Sequence, residues 1–346
     1  MATLMCKNVP IYSTTTNTVL KPSLCPIRFT SVKEYNEWLK SRLYLKSNRI
    51  AEASVSTADN IDLKISKRRL SLSDCYWVKR TNDKYAEFEE ITPYLHPFID
   101  YSLNVGKSGS SVPDATIGGS FPKTWVNLEG GAAINKIIPD TMVYNEMAAL
   151  SLAARLGVAA CKARASVIDD AGTTRFVSTD DFKLSYKVTG NSIYIDNISD
   201  LTWMLLPLNW TTPSDLKINR GHDIAEMINS YDGILMSSTA ERVIIKTLLF
   251  DAIVSNDDRR TNMSNWGYYK HSATGATRPA PLYDFNLAHV NQNTMYVNSV
   301  IDSFNSKDVY KKTAKEYLDK WESGIKAFGA EKWFENYKRL TEGIKY

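Results

Sequence analysis

Apolar side chains recur with two different periods along this chain, and the change falls near Phe182. Before it, short alternating runs predominate, which is the period of a strand with one buried face. Leu70-Ser-Leu-Ser-Asp-Cys-Tyr-Trp-Val78 alternates in this way. Thr124–Asn127 and Ala132–Ile138 are two further runs, joined by Leu128-Glu-Gly-Gly131, a turn suited to a hairpin. Ala163–Ile168 and Arg175–Ser178 flank the turn Asp169-Asp-Ala-Gly172. Two helical stretches interrupt this part. Ser31–Leu43 places Tyr35, Trp38, Leu39 and Leu43 near one face. Asn145–Leu156 is rich in alanine and closes on Gly157, a residue suited to a left-handed cap. A small, mostly antiparallel sheet carrying one helix is expected.

After Phe182 the pattern turns helical. Residues 183–220 are irregular with short strands, and Asp223–Ser230, Ser238–Val254, Lys312–Ala327 and Glu331–Gly343 read as helices. Ser238–Val254 is strongly apolar and reads as a core helix, delivering the polar run Asn256-Asp-Asp-Arg-Arg260 at its end. Residues 104–115 are rich in Gly and Ser and read as a linker. The Gly106-Lys-Ser108 inside it lacks the earlier glycine of a P-loop, because Tyr101 stands there.

A chain of 346 residues can bury a large core and hold two lobes. Its 42 basic and 38 acidic residues are interspersed, and a net charge of +4 does not by itself point to nucleic acid or a membrane. The four cysteines and four histidines are scattered along the sequence without a zinc spacing. Reduced thiols in a cytoplasmic protein are expected, with no membrane partner, no signal peptide and no direct contact with nucleic acid.

Candidate chemistry lies in the order of five features. In Thr116-Ile-Gly-Gly-Ser-Phe-Pro-Lys123, adjacent glycines would let backbone amides approach an anion. Lys136 stands within an apolar run, where its charge needs a partner; a phosphate or Glu146 of the next helix would serve. The loop Asn256–Gly267 carries Asp and Asn, and Pro281-Leu-Tyr-Asp-Phe-Asn286 supplies a second Asp. Kinase-type sites are built this way: one Asp orients a hydroxyl, while an Asn and a later Asp hold magnesium against nucleotide phosphates. Taken singly, these features read as a turn, an exposed strand lysine and a surface loop. Their order carries the specificity.

The ordered set resembles the HipA-like serine/threonine kinases, the family of bacterial toxin–antitoxin kinases. Thr116–Lys123 resembles the family's Ser-x-x-Gly-x-x-x-Lys loop, with Thr116 at the serine position. Asn145-Glu146 with Leu152-Ala-Ala-Arg-Leu-Gly-Val158 resembles its helix ending in Leu-Ala-x-x-Leu-Gly-Ile. Asn256-Asp-Asp-Arg-Arg260 is similar to the Asn-x-Asp-Arg-His loop, and Tyr283-Asp284 to the Tyr-Asp segment. Residues 25–80 are similar to the N-terminal segment of Gram-positive members, through Trp38-Leu…Arg49 and Leu70–Trp77. The resemblance covers residues 25–300.

It implies an α+β, bilobal protein-kinase-like (HipA-like) fold, with a β-rich N-lobe and a mainly α-helical C-lobe. Residues 1–108 would be an accessory segment packing on the N-lobe, 109–182 the N-lobe with its Gly-rich loop, and 183–346 the helical C-lobe. ATP and Mg2+ are the implied cofactors, and a protein hydroxyl is the acceptor. Thr116, Ile117, Gly118, Gly119, Ser120 and Lys123 would cover the nucleotide, Lys136 with Glu146 would hold its α/β-phosphates, Asp258 would be catalytic, and Asp284 would bind the metal. The family also implies autophosphorylation at Thr116 and allows an antitoxin protein as partner.

Three positions depart from the pattern. Arg260 stands where the family often has His, and Asn286 where kinases have Gly. The usual spacing of the metal-binding Asn from Asp258 falls on Met263. Asn265, just ahead of the strand-like Trp266-Gly-Tyr-Tyr269, is the favoured ligand, and Asn262 fits only if Asp257 is catalytic. A nucleotide-binding pseudokinase therefore stays open beside an active kinase.

Overall fold

The computed structural model describes residues 2–26, 32–41, 74–83, 87–88, 123–128, 131–161, 163–167, 175–180, 187–189, 192–194, 203–207, 224–231, 234–261, 265–285, 287–288 and 294–345. The expected linker 104–115, the glycine-containing loop Thr116–Pro122 and Asn262 lie outside them.

Strands β1 (Ala2–Cys6), β2 (Val9–Ser13) and β3 (Thr18–Val19) are followed by helix α1 (Val32–Ser41) and strand β4 (Tyr76–Arg80). The strands form an antiparallel sheet in the order β3-β2-β1-β4. Tyr12 of β2 stacks on Tyr35 of α1 with centroids 4.9 Å apart, which sets the apolar face of α1 on the sheet. The register opposes Cys6 to Tyr76 and so brings the sulfurs of Cys6 and Cys75 to 3.5 Å, although the cysteines are scattered in sequence. All four cysteines are buried and none is in a disulfide.

Strands β5 (Lys123–Leu128) and β6 (Gly131–Ile137) form the expected hairpin, with Leu128 opposite Gly131 and Lys123 opposite Lys136. Helix α2 (Asp140–Leu156) follows, then β7 (Ala163–Val167) and β8 (Arg175–Asp180), giving a sheet in the order β5-β6-β8-β7. Helix α2 starts at Asp140 rather than Asn145. Pro139, with φ −55, precedes it, and Asp140 places a negative charge in the first turn, where the helix dipole favours it. Its end is as expected, with Gly157 left-handed at φ 67.

Strands β9 (Lys187–Thr189) and β10 (Ser192–Tyr194) form a two-stranded sheet, and β11 (Trp203–Pro207), β12 (Gly267–His271) and β13 (Thr277–Pro279) form a three-stranded sheet in that order. Among the described residues, the later helices are α3 (Ile224–Ser230), α4 (Ser237–Ile253), α5 (Asp258–Thr261), α6 (Thr294–Asn305), α7 (Asp308–Phe328) and α8 (Glu331–Gly343). The sequence pattern does not announce α6, yet Tyr296, Val297, Val300, Ile301 and Phe304 make one buried face. Helix α7 begins at Asp308 rather than Lys312, with Asp308 paired to Lys311 at 2.5 Å.

Two compact units result. The first comprises Met1–Ile138, Arg164–Leu206 and Tyr269–Thr277. Within it, residues 269–277 return to the N-terminal segment: Lys270 Nζ donates to the Cys25 carbonyl at 2.5 Å, and Gly275 packs against Ser23. The second comprises Pro139–Ala163, Pro207–Tyr268 and Arg278–Tyr346. Its centre is α4, against which α3, α6, α7 and α8 all pack. Ile244, Ile245, Leu248, Leu249, Phe250 and Ile253 are fully buried. At about 1.5–3 kcal/mol for each such side chain, this helix anchors the unit's core. Phe250 meets Phe285 and Trp321 edge-on, at 5.5 Å and 6.4 Å. Among the described residues, no helix is long and apolar enough to cross a membrane.

Candidate functional site

Helix α4 carries two acids, Glu241 near its start and Asp251 in its apolar last turns, and Asp251 is completely buried. A carboxylate in such a place needs partners. Arg259 Nε donates to its Oδ2 at 2.9 Å, and Asn256 Nδ2 donates to its Oδ1 at 3.3 Å. Neither Asp251 nor Arg259 has any side-chain exposure. Burial pushes the Asp251 carboxyl up to about 6, against the pull of Arg259 and Asn256. Burial also acts to lower the Arg259 pKa, but Asp251, Tyr283 and Asp284 hold it above its ordinary value.

The chain must reverse sharply after α4 for Arg259 to reach Asp251. Ser255 makes the turn in the left-handed region, at φ 55. Asn256 then bonds back through its backbone N–H to the Asp251 carbonyl at 2.8 Å. Asn336 of α8 donates to the Ile253 carbonyl at 3.0 Å and to Ser255 Oγ at 2.9 Å. The end of α4 is thus capped by a side chain from another helix, in place of a glycine.

Arg259 has further partners beyond α4. Its Nη1 donates to the Asn265 carbonyl and its Nη2 to the Tyr283 carbonyl, the latter at 2.9 Å. Its guanidinium lies 5.0 Å from the centre of the Phe285 ring. Trp266 Nε1 donates back to the Arg259 carbonyl at 3.0 Å. The segment before Tyr283 is held separately: the Leu282 N–H donates to Ala159 O at 2.8 Å, and the Cys161 N–H to Leu282 O at 2.9 Å.

Asp258 is the first residue of α5 and is half-buried; Asn265, at 5% exposure, donates through Nδ2 to its Oδ2 at 2.8 Å. Asp284 is half-buried with φ 62, a backbone conformation that a non-glycine residue holds only when its surroundings fix it. Arg259 thereby joins the segments bearing Asp258, Asn265 and Asp284. Glu146 is fully buried on α2, in the same unit. Lys136 lies on β6 between β5 and β8, opposite Lys123 and Val177, in the first unit. Thr116, Ile117, Gly118, Gly119, Ser120 and Asn262 are outside the described residues. The sequence reading missed Asp251 and Asn336. A lone acid in the run Leu248-Leu-Phe-Asp-Ala-Ile253 was the available signal, since its charge demands a buried partner.

The donor set can be tested against the implied metal. Among the described residues, no three His, Cys, Asp or Glu side chains gather as a metal site. A cation here would rest on Asp258 or Asp284 carboxylates and the Asn265 amide oxygen, whose nitrogen is engaged by Asp258. Few, hard oxygen donors suit magnesium, which takes one or two carboxylates and completes its shell with waters and substrate phosphates. They do not suit zinc.

No family model and no curated protein matches the chain. Among solved structures it is similar to a chain of the Shewanella oneidensis toxin–antitoxin complex of HipA, HipB and operator DNA. The TM-score is 0.51 at 12% identity, over 99% of this chain and 96% of that one. The fold is HipA-like. That bears out, at the level of fold, the resemblance expected from the motifs, as does the mixture of helix and sheet. The Helicobacter pylori proinflammatory kinase CtkA is also similar, with TM-score 0.45 and 12% identity over 65% of this chain and 92% of CtkA.

Proposed function

We propose that this chain is an ATP-dependent protein serine/threonine kinase of the HipA type. The observation that carries the reading is the Asn265–Asp258 hydrogen bond, held by the arginine that also fixes the backbone ahead of Asp284. Asp258 would orient the acceptor hydroxyl and take its proton, while Asn265 and Asp284 would hold magnesium. The bond to Asp258 supports Asn265 as a ligand. When bound, the ion neutralises charge on the β- and γ-phosphates. Lys136, with Glu146 as counter-charge, would hold the α- and β-phosphates, and Thr116–Lys123 would cover them. Residues 109–182 and 183–346 would be the two lobes, with 1–108 as an accessory segment.

The HipA of the similar complex is part of a toxin–antitoxin system with HipB. By analogy, this chain would act in the cytoplasm on a protein substrate and pair with an antitoxin, without contacting nucleic acid directly. Thr116 would be its own autophosphorylation site. Incubating the full chain with γ-labelled ATP, Mg2+ and a generic protein substrate tests the reading. Label on protein with wild type, and none with Asp258→Ala, is the expected result. ATP binding without transfer in either form would overturn it in favour of a pseudokinase, to which the departures at Arg260 and Asn286 belong.

A further inference from the structure

A buried arginine–carboxylate pair is a weak source of stability, because apolar side chains of the same volume commonly serve a core as well or better. What apolar residues cannot do is fix backbone carbonyls. Arg259 uses all three guanidinium nitrogens, each on a different segment: Nε on Asp251 of α4, Nη1 on the Asn265 carbonyl, Nη2 on the Tyr283 carbonyl. Two of those carbonyls belong to, or directly precede, the residues read above as metal ligands. The planar fork sets the spacing of its two acceptors, and the guanidinium carbon lies over the Phe285 ring, 5.0 Å from its centre. Asp251 in turn anchors the fork to α4, the buried central helix of its unit. The strained backbone of Asp284, at φ 62, is what such an outside restraint is needed for.

We infer that Arg259 is a positioning residue: it sets the separation of Asn265 and Asp284 and thereby the affinity of the site for a divalent cation with its nucleotide. The inference rests on the kinase reading above. It acts through the two backbones and touches neither cation nor substrate. Lysine preserves the charge but offers a point donor in place of a fork, so it cannot hold both carbonyls in register with Asp251.

The test uses the full chain with Mn2+ as a paramagnetic probe and a non-hydrolysable ATP analogue. Free Mn2+ is titrated by electron paramagnetic resonance in wild type, in Arg259→Lys, and in the double variant Asp251→Leu with Arg259→Met. Metal-free binding of the analogue and urea unfolding are measured alongside. The double variant removes both charges and keeps the volume, so it separates positioning from packing. The expected result is Mn2+ affinity reduced about 10–100-fold in both variants, the range seen when groups supporting a metal ligand are lost. Metal-free analogue binding and cooperative unfolding should stay near wild type in the double variant. Wild-type Mn2+ affinity in a folded double variant would overturn the inference and leave the kinase reading standing. Absence of Mn2+–analogue binding in wild type would overturn both. Failure of both variants to fold would also overturn it, since Arg259 would then be needed for the core itself.

Discussion

Replacing Asp251 with asparagine separates two opposing forces at the centre of the second unit. Burial disfavours the charged carboxylate, while Arg259 favours it. The carboxyl is completely buried, and its pKa is pushed from 3.8 up to about 6, with burial the largest cause. A folded value above the unfolded one means that protonation favours the folded chain. That contribution is complete below the ordinary 3.8 and is lost as pH rises through about 6. The rise corresponds to roughly 3 kcal/mol. Asparagine keeps the shape and an acceptor for Arg259 but does not titrate. Urea unfolding of both proteins, at steps from about pH 3 to pH 7, should therefore show wild type losing roughly 3 kcal/mol against Asp251→Asn as pH rises. If the attraction of Arg259 outweighed burial, the carboxyl would lie below 3.8 and wild type would gain on the variant over the same window. That opposite slope would refute the reasoning. At neutral pH, Asp251→Leu should be worse than Asp251→Asn, costing about 3–5 kcal/mol, because it strands a buried guanidinium.

Three further outcomes follow from the same packing. Asn336→Ala leaves the Ile253 carbonyl and the Ser255 hydroxyl without their shared donor, and should cost about 1–3 kcal/mol in urea unfolding. Gly275→Ala puts a Cβ 2.2 Å from the Ser23 backbone oxygen at φ +73, so thermal unfolding should report a loss of about 1–3 kcal/mol. Asp284→Gly relieves a left-handed backbone while loosening the unfolded chain, effects that offset to within about 1 kcal/mol. Its stability by denaturation should barely move, while its metal-dependent nucleotide binding, measured by calorimetry, is lost.

Legibility varied from element to element for physical reasons. Helix α8 and the β5–β6 hairpin follow their sequence signals closely, because a strong period or a Gly-Gly turn fixes them locally. Helix α6 does not. Thr294, Val297, Val300 and Ile301 are β-branched and weak helix formers, so burial of one face decides their conformation. The proximity of Cys6 to Cys75 depends on β1 pairing with β4, which spacing along the chain cannot show. At the candidate site, motif order singles out Asp258, Asn265 and Asp284 as candidates, and the structure bonds Asn265 to Asp258. Motif order does not single out Arg259, since its pairing with Asp251 depends on the left-handed turn at Ser255. Its hold on Asn265 and Tyr283 depends on two segments meeting from different parts of the sequence.

The most direct measurement is a crystal structure of the full chain with a non-hydrolysable ATP analogue and Mg2+. The expected density places an ion about 2.1 Å from oxygens of Asn265 and Asp284, with Asp258 facing the γ-phosphate. An analogue bound away from these three residues, or an ion held by Asn262 in place of Asn265, would contradict the account.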